Sequence, residues 1–138
     1  MTTIIDQIRW DKSDDGLVPA VVQDADTKDV LMLGFMNRAA LEKTIRSGQV
    51  TFWTRSRQKL WTKGETSGNT LNFVSLRVNC NDDSLLVLAR PIGATCHTGH
   101  PTCYFREVSA EEAAAEDGEW KTITAPQFDP EQVYAKSA

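Results

Sequence analysis

Val18-Pro19-Ala20-Val21-Val22-Gln23-Asp24-Ala25-Asp26-Thr27-Lys28-Asp29-Val30-Leu31-Met32-Leu33-Gly34-Phe35 sets two short apolar runs around a polar centre. Runs of this length rich in β-branched residues read as strands, and the acidic segment 24–29 between them suits a hairpin turn. Beyond Met36 the period changes. Asn37 stands where a helix N-cap is favoured and Gly48 where a helix stops, with Ala40, Leu41 and Ile45 at helical spacing between them. The spacing predicts one amphipathic helix over 38–47, its apolar face turned inward.

Beyond the helix the pattern stays short and strand-like. Strands are predicted at 50–54 and 60–62 around the turn Arg55-Ser56-Arg57-Gln58, followed by a loop at 63–69. In 71–78 apolar residues occupy both alternating sets, which predicts a strand covered on both faces. A further strand is expected at 84–89 after the polar turn Asn81-Asp82-Asp83, then a loop over 91–101 and a last strand within 104–108. Ser109 with Glu112 three residues on is a capping-box pattern for a short helix. Past Gly118 the chain is polar and proline-broken, and reads as a peripheral tail. The expected architecture is β-rich α+β, with mixed or antiparallel sheets and one main helix. It places a single domain at 1–108 and a C-terminal extension at 109–138.

Length and composition agree with one core. The chain has 138 residues, 41% hydrophobic and 25% charged, ordinary values for a globular domain. A net charge of −4 argues against a general nucleic-acid binder, which carries a basic surplus. No apolar run approaches the roughly 18–20 residues of a membrane span, and 1–10 lacks the order of a signal peptide. A cytoplasmic protein is expected, in which three cysteines are thiols or metal ligands rather than disulfides.

Those cysteines are Cys80, Cys96 and Cys103. Cys96 and Cys103 flank Thr98-Gly99 and both histidines of the chain, His97 and His100. Three thiolates around one zinc leave its fourth position open, the catalytic arrangement, whereas structural sites close with four ligands. Spacing alone leaves three readings standing: buried thiols, a closed site completed by His97 or His100, and an open catalytic zinc. His97 is the candidate for proton transfer, since an ordinary imidazole titrates near neutrality. No role is assigned to His100.

A second cluster precedes them. Arg55, Arg57, Lys59 and Lys63 fall within nine residues, and Gly64, Thr66, Ser67, Gly68 and Asn69 come after. Cations beside hydroxyls and exposed backbone N–H groups are the ingredients of a phosphate site. Trp53 and Trp61 bracket the turn and could stack on a base; a solvated hairpin with core tryptophans is the plainer alternative. No Walker loop is present.

Together these blocks resemble the phosphoribosyl-AMP cyclohydrolase family of histidine biosynthesis. The resemblance spans roughly 18–106 and rests on Leu31-Met32-Leu33-Gly34-Phe35-Met36-Asn37, Phe52-Trp53-Thr54-Arg55-Ser56-Arg57, Leu60-Trp61-Thr62-Lys63-Gly64-Glu65-Thr66-Ser67-Gly68-Asn69, Cys96-His97-Thr98-Gly99 and Cys103-Tyr104. The Trp61–Asn69 run is the most specific of them. The resemblance implies a monofunctional hydrolase that opens the adenine ring of phosphoribosyl-AMP between carbon 6 and nitrogen 1. It implies a homodimer with shared zinc sites, Cys80 from one subunit and Cys96 and Cys103 from the other. The two phosphates of that substrate give the basic loop a purpose, and the candidate substrate contacts are Trp53, Arg55, Ser56, Arg57, Trp61, Lys63, Gly64, Thr66, Ser67, Gly68 and Asn69. No pyrophosphohydrolase domain is expected after it, and neither nucleic acid nor membrane is expected as a partner. A zinc deaminase would need a histidine/cysteine–any–glutamate motif and a Pro-Cys-x-x-Cys motif; neither occurs.

One block departs from the family. Around the first cysteine the family carries three aspartates that bind magnesium, where this chain reads Asn79-Cys80-Asn81-Asp82-Asp83. Asn79, Asn81 and Asp83 therefore offer one carboxylate instead of three. Magnesium is a hard cation held mainly through carboxylates and water, so its site is expected to be weakened while the zinc site is intact. That substitution also leaves room for a zinc-stabilised nucleotide-binding module without activity.

Overall fold

The computed structural model describes residues 3–129. β1 (Val18–Asp24) and β2 (Val30–Met36) form the expected antiparallel hairpin, from Val18 opposite Met36 to Gln23 opposite Val30. Asp24 closes it. Its N–H donates to the Asp29 carbonyl at 2.8 Å, and its Oδ1 accepts from the N–H groups of Asp26 and Thr27, an Asx turn that competes well with continued strand.

α1 (Arg38–Ser47) begins where Asn37 Oδ1 accepts the Ala40 N–H at 2.9 Å and ends at Gly48 in the left-handed conformation. Its buried face is Ala40, Leu41 and Thr44, and Ile45 is 40% exposed. The expectation that Ile45 faces inward is corrected: at about 100° per residue it lies at the margin of the stripe that Thr44 completes. The Thr44 hydroxyl is satisfied there, donating to the Ala40 carbonyl and accepting the Thr51 N–H, both at 2.9 Å. It thereby ties the helix to β3 (Thr51–Thr54).

β3 pairs antiparallel with β4 (Lys59–Thr62) as a separate two-stranded sheet. The main sheet has four strands in the order β2-β1-β6-β5, where β5 is Leu71–Val78 and β6 is Leu85–Pro91. β1 and β6 are parallel and the other two pairings antiparallel. A mixed, β-rich architecture with one main helix is thus observed. β7 (Arg106–Glu107) and β8 (Lys121–Thr122) pair outside it, separated by the short α2 (Ala110–Ala114), whose Ser109 cap accepts the Glu112 N–H.

β5 differs from expectation. A register shift between Phe73 and Ser75 leaves Val74 as an extra residue, and a bulge of this kind reverses the alternation beyond it. Leu71 is buried and Phe73 and Leu76 are packed against the core, while Val74 and Val78 are 41% and 47% exposed. The outward Asn72 and Arg77 are exposed, and so is Val78 on the Leu76 face, so the strand is not covered on both faces.

The core sits between the main sheet, α1 and β3, around Val18, Val22, Met36, Leu41, Val50, Phe52, Leu71, Leu85 and Val87. Each such side chain contributes about 1.5–3 kcal/mol on full burial. Gly34 belongs to the packing: a Cβ there would meet the Phe52 ring at 2.5 Å, so only glycine lets the ring lie against β2. Past Gly118 the chain is mostly exposed yet returns to the body. The Ile123 N–H donates to the Phe105 carbonyl and the Gln127 N–H to the Gly99 carbonyl. The remainder of the expected extension, 130–138, lies outside the described residues.

Candidate active site

Two loops face each other across one cavity. The first, 63–69, leaves the end of β4 and is closed by its own residues: the Gly68 N–H donates to the Gly64 carbonyl at 2.8 Å, and the Lys63 ammonium donates to the Asn69 carbonyl at 3.1 Å. The second, 93–103, comes after β6. Its turn is held by the Cys96 N–H on the His100 carbonyl and the Gly99 N–H on the Cys96 carbonyl, each at 3.0 Å. Its far end is fastened to β2, where the Cys103 N–H and the Thr102 hydroxyl both reach the Leu31 carbonyl. The loops touch through Asn69, whose side chain occupies the space a Cβ on Gly93 would need; Gly93 has φ +75.

The cavity measures about 640 Å³ and is lined by both loops, a size suited to a small-molecule site. Of the residues singled out from sequence, Ser56, Arg57, Trp61, Lys63, Gly64, Thr66, Ser67, His97 and Cys103 line it. Trp53, Arg55, Gly68 and Asn69 do not line it. Trp53 is opposite Leu60, whereas Trp61 is opposite Phe52; the period-two alternation of a strand then puts the two tryptophans on different faces. Trp61 packs on Phe52 with ring centroids 5.9 Å apart. Arg55 is engaged elsewhere, 3.4 Å from the Asp15 carboxylate and 3.9 Å over the Phe35 ring.

The thiols have distinct surroundings. Cys96 is buried and accepts the Thr98 hydroxyl at 3.0 Å, Cys80 is exposed, and Cys103 is exposed as a residue while its thiol is sheltered beside Cys96. The Cys103 thiol is hydrogen-bonded to Cys96; burial first, then the neighbouring Cys96, push it up from 9.0 to about 12, and only Lys63 pulls the other way. Lys63 is itself 5% exposed, and burial lowers its pKa against the opposing pull of Cys103 and Cys96. Lys63 therefore lies within electrostatic reach of the cysteine pair while it holds the 63–69 loop closed. Cys80 is not brought to this pair, and among the described residues no three His, Cys, Asp or Glu groups converge to hold a metal. Of the thiol pair, Cys103 lines the cavity and the buried Cys96 is hydrogen-bonded to it; two thiols could hold a zinc only with a further ligand from elsewhere. Asn79, Asn81 and Asp83 lie in the turn between β5 and β6.

Sequence reasoning passed over three lining residues, Met32, Thr54 and Thr95. Thr95 is the informative one: it is 1% exposed, and its hydroxyl has no hydrogen-bond partner among the described residues. No local pattern signals it, since its environment comes from segments far apart in sequence. His100, left without a role, is also explained. It is buried, stacks on Phe105 at 3.9 Å with rings 1° from parallel, and hydrogen-bonds Thr124 Oγ1 at 2.6 Å through Nδ1. It braces the cysteine loop.

A family model for phosphoribosyl-AMP cyclohydrolase matches residues 32–105, more than half of the chain and the whole of the cavity wall. The chain belongs to the phosphoribosyl-AMP cyclohydrolase family. Among curated relatives it is 50% identical over 110 residues to the histidine biosynthesis bifunctional protein HisIE of Photobacterium profundum, covering 80% of this chain and 53% of that protein. The HisIE proteins of Salmonella typhimurium and Escherichia coli K12 are each 57% identical over 98 residues, covering 71% of this chain and 48% of theirs. The chain therefore spans about half the length of these relatives. Among the described residues, no helix is long and apolar enough to cross a membrane.

Proposed function

We propose that this chain is a phosphoribosyl-AMP cyclohydrolase acting in histidine biosynthesis, a zinc-dependent homodimeric hydrolase of the cytoplasm. The observation that supports it most directly is the meeting of the Cys96–Cys103 pair, His97 and Lys63 with the Arg57–Ser67 side of one cavity. Cys96 and Cys103 of one subunit with Cys80 of a second copy would hold one zinc per subunit. Zinc held by three thiolates would supply Lewis acidity and lower the pKa of water at its open position.

The chain's own residues account for the rest. Trp61 offers an apolar wall for the purine, and Arg57, Thr66 and Ser67 offer donors for the two phosphates. Water adds to carbon 6, the carbon 6–nitrogen 1 bond breaks, and nitrogen 1 takes a proton. His97, exposed on the cavity wall, is the group assigned to move that proton. Thr98 fixes the Cys96 sulfur, and Lys63 offsets charge on the cysteine pair. The exposed Val74 and Val78 on the edge strand β5, which runs toward Cys80, support a second copy packing there.

The absorbance change on ring opening of phosphoribosyl-AMP tests this reading. Turnover is expected with zinc, is lost on chelation and returns on re-addition. Stoichiometric zinc binding without turnover would favour the inactive nucleotide-binding module, the alternative that Asn79 and Asn81 keep open.

A further inference from the structure

Asn79 closes the turn between β5 and β6 through both its backbone and its side chain. Its N–H donates to the Ser84 carbonyl and its carbonyl accepts the Asp82 N–H, each at 3.1 Å. Its side-chain Oδ1 accepts the N–H groups of Asp83 and Ser84, both at 2.9 Å. Its Nδ2 donates to the Asp83 carboxylate at 2.7 Å. The turn holds Asp82 at φ 59, and the Asp82 carbonyl accepts the Arg9 N–H at 2.7 Å. The N-terminal segment is thus fastened to the same turn that carries the exposed Cys80.

This donor set does not fit magnesium. The ion demands near-octahedral oxygen coordination, mostly from carboxylates and water. Here Asn79 Oδ1 is already engaged by two N–H groups and Asp83 Oδ1 by an amide N–H, so beyond these bonds the set offers one anionic oxygen, Asp83 Oδ2, far short of the carboxylates the ion prefers. Aspartate at position 79 could accept the same two N–H groups through one oxygen. Its second oxygen would then face the Asp83 carboxylate at hydrogen-bond distance, and two anionic oxygens that close need a cation or a proton between them. The asparagine amide removes the repulsion and supplies a donor in its place.

We infer that Asn79 is a positioning residue that replaces a divalent cation: its side-chain amide holds Asp83 and the turn bearing Cys80 without magnesium. The consequence for Cys80 as a zinc ligand rests on the function proposed above; the independence from magnesium does not.

Thermal unfolding of the zinc-free full chain, with and without millimolar magnesium chloride at matched ionic strength, tests the second part alone. The parent Tm is expected to move by less than about 1 °C. Asn79→Asp combined with Asn81→Asp, which sets a carboxylate against Asp83 at position 79 and adds a second in the same turn, is expected to fall by about 4 °C or more without magnesium and to recover when it is added. A saturable magnesium shift in the parent, or a double variant indifferent to magnesium, overturns the inference. Zinc affinity, read by competition with a chromogenic chelator, tests the positioning. Asn79→Ala should weaken it about tenfold or more, as loss of a ligand-orienting partner does, and the double variant should match the parent only with magnesium present. Equal affinities throughout overturn the positioning role. A parent that binds no zinc would refute the proposed function, while the thermal result would still decide the dependence on magnesium.

Discussion

The Lys63 ammonium hydrogen-bonds the Asn69 carbonyl across 3.1 Å, joining the two ends of the glycine loop, while it stands close enough to Cys103 and Cys96 to feel their charge. One buried cation thereby couples the shape of the glycine loop to the thiol pair. Hydrogen bonds to charged groups are worth about 1.5–3 kcal/mol, so Lys63→Met is expected to lower kcat/KM by at least about tenfold. Lys63→Arg should not rescue it, because a guanidinium does not fit a site that is 5% exposed. Steady-state kinetics check this, and undiminished turnover in Lys63→Met would leave the lysine a packing role only.

Arg55 and Arg57 are neighbours in sequence with different occupations. Arg57 lines the cavity, whereas Arg55 pairs with Asp15 and covers Phe35. Arg57→Ala should raise KM for phosphoribosyl-AMP about tenfold, the loss of one charge-assisted phosphate contact. Arg55→Ala should leave KM nearly unchanged. The reverse order in measured KM values would show that Arg55 leaves Asp15 to meet the substrate.

Gly93→Ala should be costly. A Cβ there collides with the Asn69 side chain at a backbone φ of +75. The backbone alone costs about 1–2 kcal/mol for a non-glycine residue, which lowers Tm by about 4 °C or more in a domain of this size. Asn69→Ala removes the collision and leaves the backbone cost, so the double variant should be less destabilised than the two single losses added together. Strict additivity in thermal melts would refute the contact.

The metal-free thiols should differ in reactivity. The thiolate is the nucleophile, and Cys103 is pushed up from 9.0 to about 12, so it remains protonated through neutral and mildly alkaline pH. Alkylation of the exposed Cys80 at about pH 8 is expected to outpace that of Cys103 by at least about tenfold. Labelling of Cys103 should still be accelerating as pH rises past 9.0. Peptide mass spectrometry over a pH series reads both, and equal rates would contradict the environment described for Cys103.

Shared sites make a further distinction. If Cys80 serves the cysteine pair of a second copy, Cys80→Ser and Cys96→Ser are each inactive, yet mixing and refolding them together restores activity. Random pairing in a two-fold dimer leaves about a quarter of the sites intact, and that fraction of parental turnover is expected. No recovery would place the third ligand within the same chain or remove Cys80 from the site.

The hairpin of β1 and β2, the N-cap at Asn37 and the span of α1 were legible because their signals are local: an Asx turn, a capping side chain and a 3.6-residue stripe act within a few positions. β5 reads as doubly covered from its pattern because a one-residue bulge at Val74 is invisible to a rule that assumes strict alternation. Ile45 is misplaced by the same kind of rule because a polar residue, Thr44, completes the buried stripe once its hydroxyl finds backbone partners on both sides.

By itself the sequence determined the chemistry available, three thiols, two histidines and a cationic glycine loop, and through its motifs the family. Tertiary structure alone decided which of these meet. It joined Cys96 and Cys103 across a loop while leaving Cys80 apart, and turned Trp53 and Arg55 away from the cavity. It also engaged Asn79 with Asp83 through a side-chain hydrogen bond. Residue types carry donors and charges wherever they occur, but whether two of them share a few ångströms depends on strand register and loop closure. Those are set by contacts between segments remote in the chain.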